Sequence, residues 1–477
     1  MTEGTITRSV IWSAVERFST IGIQFILNII IARILSPTDY GIIGMLTIFL
    51  SICQCLIDSG FSSALIQSRN RHKNDFGTVF IFNVVISISL YLFLFISAPA
   101  ISRFYQQDIL VGILRVVGLN LIVSSLSNVQ RAILTINIDF RTQSLVTIPS
   151  ALISGVLGIF MAHRGFGVWA LVAQTLTNGV VLTILFWVLS KQRFRIVFDI
   201  SSFKRLGGFG IKLMLSGLLN TAYTNLYGLF IGKKYDADSL GYYTRAEQFS
   251  IFPATILTDV VTRVAFPRFC NNQGDINELA REYTLFIKNS CFIIFPLMIW
   301  IAILSKPIVV ILLTDKWISA SILMSVLALD CIFAPVARIN LQLLQAVGRS
   351  DLFLKLEIIK KTVSITILLI TVNHGLIWIC IGRLFYSIIA LLVNMYYSVD
   401  IIGKSYWSQI QDWLPNFLVA LIMGGIVFLS TYWISSSILQ ILVGAMIGIL
   451  SYFKLASLFR LEARYTTINF LKKIIGK

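Results

Sequence analysis

The chain has 477 residues, 57% hydrophobic and 13% charged, against about 25% charged in a soluble protein. With a mean hydropathy of +0.84, a soluble protein is excluded: fourteen spans of about 21 residues would take roughly 295 residues and leave about 180 for connections, so no loop holds a folded catalytic domain. The net charge of +17, from 39 Lys and Arg against 22 Asp and Glu, in so apolar a chain indicates basic cytoplasmic loops rather than a nucleic-acid surface.

Apolar stretches bounded by charge or by Gly and Pro predict helices over 10–34, 41–66, 76–98, 110–136, 144–162 and 166–190. A second set is predicted over 205–232, 240–266, 284–304, 319–344, 353–372 and 375–397, and a last pair over 414–433 and 437–459. The first stretch is long enough to span and has no small-residue cleavage site, so it is expected to be a retained helix rather than a signal peptide. The expected fold is an all-α polytopic membrane protein of about 14 transmembrane helices. Residues 1–190 form one six-helix lobe, 191–204 a basic cytoplasmic linker, 205–397 a second six-helix lobe, and 398–477 an extra helix pair with a basic tail. With the N-terminus in the cytoplasm, the cytoplasmic connections hold Arg69, Arg71, Lys73, Arg141, Lys191, Arg193, Arg195, Lys204, Arg205, Arg268, Arg281, Arg349, Lys355 and Lys404, and the tail adds Arg460, Arg464, Lys472, Lys473 and Lys477. The opposite side keeps Arg33, Arg103, Arg164, Lys233, Lys234, Lys306 and Lys316, and this asymmetry places both termini inside.

The chain repeats itself at a spacing near 200 to 210. Ser36-Pro37-Thr38-Asp39-Tyr40-Gly41 recurs as Asp236-Ala237-Asp238-Ser239-Leu240-Gly241. Pro99 recurs at Pro307, Ile113-Leu114 at Ile322-Leu323, and the Gly-rich turn before Trp169 recurs before Trp378. Six helices per copy is an even number, so the two lobes share one orientation and are related by a pseudo-two-fold along the membrane normal.

Four predicted helices carry one polar face each. The first has Ser13, Arg17, Thr20, Gln24 and Asn28 at steps of three or four, with Glu16 beside them. The seventh has Lys212, Ser216, Asn220, Thr224 and Tyr227, with Tyr223 nearby. The second lines up Gly44, Thr47, Ser51, Gln54, Asp58 and Ser62. The eighth has Thr244, Glu247, Thr255, Thr258 and Thr262, flanked by Arg245, Asp259 and Arg263. Hydroxyls and amides serve as interhelical glue, worth about 0.6 kcal/mol per hydrogen bond. Charges are different. Arg17, Asp58, Lys212, Arg245, Asp259 and Arg263 would together cost about 15–20 kcal/mol facing lipid, so they face one another, water or the membrane ends. Arg115, Arg131, Lys288, Asp330, Arg338, Glu357, Lys360, Lys361 and Arg383 lie on other helices and carry less information. Glu357 with Lys360 and Lys361 has ion-pair spacing.

Gly228 to Lys234 has some look of a phosphate loop, but its spacing is one residue short and no Ser or Thr follows the Lys. No nucleophile or metal motif occurs, His72, His163 and His374 do not cluster, and the six cysteines read as small core residues without metal spacing. No enzyme is expected and no metal or cofactor beyond a coupling proton or Na⁺, for which Glu16, Asp58, Glu247 and Asp259 are the candidate carboxylates.

Trp12-Ser13-Ala14, Ala32-Arg33-Ile34-Leu35 with Gly41, Asp58-Ser-Gly60-Phe-Ser-Ser-Ala-Leu-Ile-Gln67, Phe266-Pro267 with Gln273 and Asp275, Lys316-Trp317, and Gly348-Arg349-Ser-Asp351 give the chain its family likeness. In order and layout it resembles the Wzx-type polysaccharide exporters, of the colanic-acid type, in the multidrug/oligosaccharidyl-lipid/polysaccharide superfamily. The resemblance implies two lobes around a cavity between the first, second, seventh and eighth helices. It also implies alternating access and a polyprenyl-pyrophosphate-linked oligosaccharide as cargo, flipped from the cytoplasmic to the outer leaflet of a bacterial inner membrane. Glycosyltransferases and a repeat-unit polymerase would be its partners. Helix position and chemistry then nominate Arg17, Lys212, Arg245 and Arg263 for the pyrophosphate. Gln24, Asn28, Gln54 and Asn220 are nominated for sugar hydroxyls, and Tyr223 and Tyr227 for sugar faces. A cation-coupled multidrug exporter and a peptidoglycan lipid-precursor flippase share the fold. The first would favour an acidic or apolar cavity; only the motifs argue against the second. A membrane glycosyltransferase or polymerase would need a larger external loop.

Overall fold

The computed structural model describes residues 3–464 except 59, 69, 191 and 192, and omits the side chains of residues 3–11, 13–15, 18 and 350. The Ser13 side chain, Arg69, Lys191, Lys472, Lys473 and Lys477 therefore lie outside the described residues. Among the described residues the chain is helical and has no strand.

The helices of the first half are α1 (Glu3–Ile34), α2 (Pro37–Asp58), α3 (Phe61–Gln67), α4 (Lys73–Tyr105), α5 (Ile109–Val117), α6 (Leu119–Ile136), α7 (Phe140–His163), α8 (Val168–Leu189) and α9 (Ile200–Lys234). Those of the second are α10 (Ala237–Asn271), α11 (Ile276–Ile303), α12 (Ser305–Leu313), α13 (Ser319–Cys331), α14 (Ala334–Ala346), α15 (Ser350–Thr371), α16 (Leu376–Ile402), α17 (Tyr406–Thr431) and α18 (Ser437–Leu458). Each of the fourteen predicted stretches is helical, in order. Three of them are broken: the second into α2 and α3, the fourth into α5 and α6, the tenth into α13 and α14. The short α12 was not expected. Pro99 runs inside α4, whereas its counterpart Pro307 sits in the first turn of α12, after a break at Leu304.

Eleven segments among the described residues are long and apolar enough to cross a membrane. The rods that miss this threshold are α1, α9 and α15, and sequence explains each: the uncharged stretch of α9 is interrupted by Asn220, Thr221, Thr224 and Asn225, and α15 carries Asp351, Lys355, Glu357, Lys360 and Lys361. In α1 only Ser19–Ile34 is continuously apolar. Phe93, Ile96, Val188, Leu429 and Leu458 stand exposed, as a lipid-facing surface requires.

Short polar residues start the helices. Asp139 accepts a hydrogen bond from the Thr142 amide (3.0 Å), Asp275 from the Asn277 amide (2.9 Å) and Ser405 from the Ser408 amide (3.2 Å), each satisfying an otherwise orphaned N–H. Hydrogen bonds from Ser201 and Ser202 hold the Asp199 carboxyl, at the start of α9, well below the usual carboxylate range.

The chain divides into two compact units, residues 1–241 and 242–477. In the first, α1 packs on α7, α7 on α8, α4 on α6 and α2 on α9. Phe61 stacks on Phe203 (ring centroids 5.1 Å apart) and meets Phe82 at 4.2 Å, tying α3, α9 and α4 together. In the second, α13 and α15 pack on α16, while α11 packs on α17 and α17 on α18. The final helix pair is thus docked on α11, where the Tyr452 hydroxyl donates to the Phe292 carbonyl at 2.9 Å.

The repeated turns meet inside the first unit. Asp39 accepts from the Ser36 amide (2.9 Å) and hydroxyl (2.7 Å), Asp236 accepts from the Ser239 amide (2.8 Å), and Thr38 hydrogen-bonds Asp238, its counterpart plus 200. A Cβ on Gly41 would overlap the Ala237 backbone, and a Cβ on Gly241 would overlap the Pro37 backbone. The reciprocity of 41 with 237 and 241 with 37 is the geometry of a two-fold between the turns. It explains why both end in glycine.

Candidate functional site

In the first unit the polar faces of α1, α2 and α6 converge. Gln54 Nε2 donates to Asp58 Oδ2 at 2.6 Å, Asn128 Nδ2 donates to Asp58 Oδ1, and Ser124 Oγ donates to Gln54 Oε1 at 3.2 Å. Arg131 lies close enough to act electrostatically on both Glu16 and Asp58, and Arg17 acts on Glu16. Asp58 is the last residue of α2, so the helix C-terminal carbonyls disfavour its charge while the amides of Gln54 and Asn128 support it. Gln54 and Asp58, four residues apart on α2, are brought together, and Glu16 on α1 shares with Asp58 the influence of Arg131. Ser124 and Asn128 were overlooked and Arg131 was given little weight, although steps of four and three place them on one face of α6.

Other nominated residues are dispersed. Gln24 and Arg17 are exposed and Asn28 is half-buried on α1; Lys212 and Asn220 are exposed on α9, Tyr223 is half-buried and Tyr227 buried. The phosphate-loop look of residues 228–234 dissolves, because the whole stretch is helix in α9.

In the second unit, Arg383 is the centre of a buried ion cluster. Its Nε lies 2.9 Å from Asp330 Oδ2, its Nη1 pairs with Glu247 and donates to the Tyr243 hydroxyl at 2.8 Å, and Ser387 donates to Asp330. One cation between two carboxylates, with two hydroxyls completing the shell, makes this charge tolerable away from water. Nearby, Lys360 Nζ donates to Glu357 at 2.5 Å, the pairing expected from their spacing. These groups surround a cavity of about 290 Å³ lined by residues of α10, α13, α14, α15 and α16, among them Thr255, Thr258, Asp330, Arg338, Lys360 and Arg383. Of the residues nominated on α10, Glu247 joins the cluster. Arg245 and Asp259 are half-buried, Arg263 is exposed, and none of these three lines that cavity.

The lower weight given to Asp330, Arg338 and Arg383 is therefore corrected: Asp330 and Arg383 build the polar interior of the second unit, and Arg338 lines its cavity. Arg383, Ser387 and Asn394 recur on one face of α16, a legible signal, but the pairing with Glu247 spans 136 residues and no local spacing encodes it. An apolar groove of about 490 Å³ lies in the same unit, lined by Leu257, Phe292, Pro296, Trp300, Met423 and Tyr452 among others, on α10, α11, α17 and α18.

The family model described as polysaccharide biosynthesis protein matches residues 30–322. The chain is similar to the teichuronic acid biosynthesis protein TuaB of Bacillus subtilis (strain 168), 24% identical over 424 residues, covering 87% of each chain. It is also similar to the succinoglycan biosynthesis transport protein ExoT of Rhizobium meliloti (strain 1021), 24% identical over 326 residues, 68% of this chain and 66% of that one. Among solved structures, the lipid II flippase MurJ in an inward closed conformation superposes with a TM-score of 0.78 at 17% identity, covering 94% of this chain and 98% of that one, which shows a common fold. An all-α multi-pass membrane architecture and a family model matched over more than half the length lead to one assignment: the chain belongs to the polysaccharide biosynthesis protein family.

Proposed function

We propose that the protein is a flippase. It moves a polyprenyl-pyrophosphate-linked oligosaccharide repeat unit from the cytoplasmic to the outer leaflet of a bacterial inner membrane, by alternating access, for O-antigen, capsule or exopolysaccharide assembly. The observation that carries this reading is the family match. A polysaccharide biosynthesis protein most of whose described residues lie in membrane-length helices offers, among those residues, no folded domain on which to build sugar bonds, and passing a membrane-borne precursor across is the task that suits it. Transport rather than catalysis is also the word in the name of its relative ExoT. The apolar groove on α10, α11, α17 and α18 suits a prenyl chain, and the polar clusters suit a hydrated head. Arg17, Lys212, Arg245 and Arg263 remain the proposed pyrophosphate contacts, and Glu16, Asp58, Glu247 and Asp259 the proposed seats of a coupling proton or Na⁺. The expected partners are glycosyltransferases on the cytoplasmic side and a repeat-unit polymerase outside.

The test is deletion in the host. Lipid-linked repeat units accumulate on the cytoplasmic leaflet, surface polysaccharide disappears, and a plasmid copy restores it. Normal surface polysaccharide in a strain with no second flippase gene rejects the reading. Loss of viability with arrested peptidoglycan synthesis would instead select the peptidoglycan-precursor alternative.

A further inference from the structure

The cavity of the second unit has polar groups left over after its ion pairs are satisfied. Arg383 is taken up by Asp330, Glu247 and Tyr243, and Lys360 by Glu357. Thr258 Oγ1 and Asn394 Oδ1, on α10 and α16, belong to residues that line the cavity and are 4% and 1% exposed, and neither atom has a hydrogen-bond partner among the described residues. Leaving a buried polar atom unsatisfied costs about 1–3 kcal/mol, so both call for an occupant. Asn394 Oδ1 only accepts, Arg338 on the cavity wall only donates, and the Thr258 hydroxyl does either. The occupant must therefore both donate and accept.

Charge narrows the choice. The cations Arg338, Lys360 and Arg383 are balanced by Asp330, Glu247 and Glu357, so the site favours neither an anion nor a metal ion. Phe333 and Tyr386 on the lining offer apolar surface, and about 290 Å³ is at the small end of ligand sites, room for one ring. We propose that this cavity binds one neutral, hydroxyl-rich sugar ring of the transported head group, with Thr258, Asn394 and Arg338 reading its hydroxyls. The proposal rests on the flippase reading above and locates a sugar subsite within the second unit.

Cys331 lines the same cavity and reports on it. The full-length protein in lipid nanodiscs is treated with methyl methanethiosulfonate, and modification of Cys331 is followed by peptide mass spectrometry with and without the methyl glycosides of glucose, galactose and N-acetylglucosamine. At least one glycoside slows Cys331 modification several-fold. Asn394→Leu, Thr258→Val and Arg338→Ala each remove that protection, read for each variant as the ratio of its own rates with and without sugar. If Asn394→Leu or Thr258→Val fails to fold, the exposed Arg338→Ala carries the test. No protection by any glycoside, or equal protection of all three variants, overturns the proposal in favour of a water-filled cavity. Translocation of the host's lipid-linked repeat unit by the same preparation in vesicles is measured in parallel. Translocation without protection rejects the sugar subsite alone, and protection without translocation rejects the flippase reading.

Discussion

Arg383 shows how much one residue decides in a low-dielectric interior. Its removal leaves Glu247 and Asp330 facing each other without a cation, so Arg383→Ala should destabilise the protein by about 3–5 kcal/mol, since breaking a buried pair strands the remaining charge. A marked fall in melting temperature in detergent is expected, and Arg383→Ala with Glu247→Gln and Asp330→Asn should recover most of it. An unchanged melting temperature in the single variant would show that the cluster is hydrated. Arg17 is the opposite case: it is exposed on α1, so Arg17→Ala should keep the protein level and lower polysaccharide export. Wild-type export by that variant would return Arg17 to a packing role. Both residues were visible as intramembrane charge, which is costly wherever it occurs. Their ranking was not, because cost alone does not say which charges find partners.

At the scale of elements, helices were legible because their signal is local. Apolar length and flanking charge place each rod, and steps of three and four give its polar face. The breaks after Asp58, at Gly118 and at Ile332–Phe333 were missed although each has a local breaker beside it, Gly60, Gly118 and Pro335, because one Gly or Pro in a membrane-length stretch does not by itself end a helix. The repeated turn was legible as a repeat, but its contact was not. Gly41→Ala and Gly241→Ala each place a Cβ into the opposing turn's backbone, and either should sharply reduce the amount of folded protein in the membrane. Alanine at the open position Gly22, where a Cβ meets nothing, should leave the protein level unchanged. Equal levels for all three variants, by immunoblot of membranes, would mean the two turns do not pack as described.

For the whole molecule, the basic residues at one set of connections determine the proposed orientation. Reporter fusions after residues 70, 198 and 402 should all give a cytoplasmic signal, and an outside signal at any of them would break that topology. Composition, hydropathy and the 200-residue offset were enough to read a membrane-embedded, internally repeated helical fold, and the likeness to a family came separately, from short motifs such as Asp58 to Gln67 and Gly348 to Asp351. The fold follows from segment length and order, which any bilayer enforces. Only the tertiary structure decided which polar faces meet: Asp58 with Asn128 across 70 residues, Glu247 and Asp330 on either side of Arg383, and Thr258 with Asn394 around a shared cavity. Helical periodicity tells a side chain which way to point along its own rod. Which other rod it faces depends on how the helices pack together, and that information is spread over the whole chain.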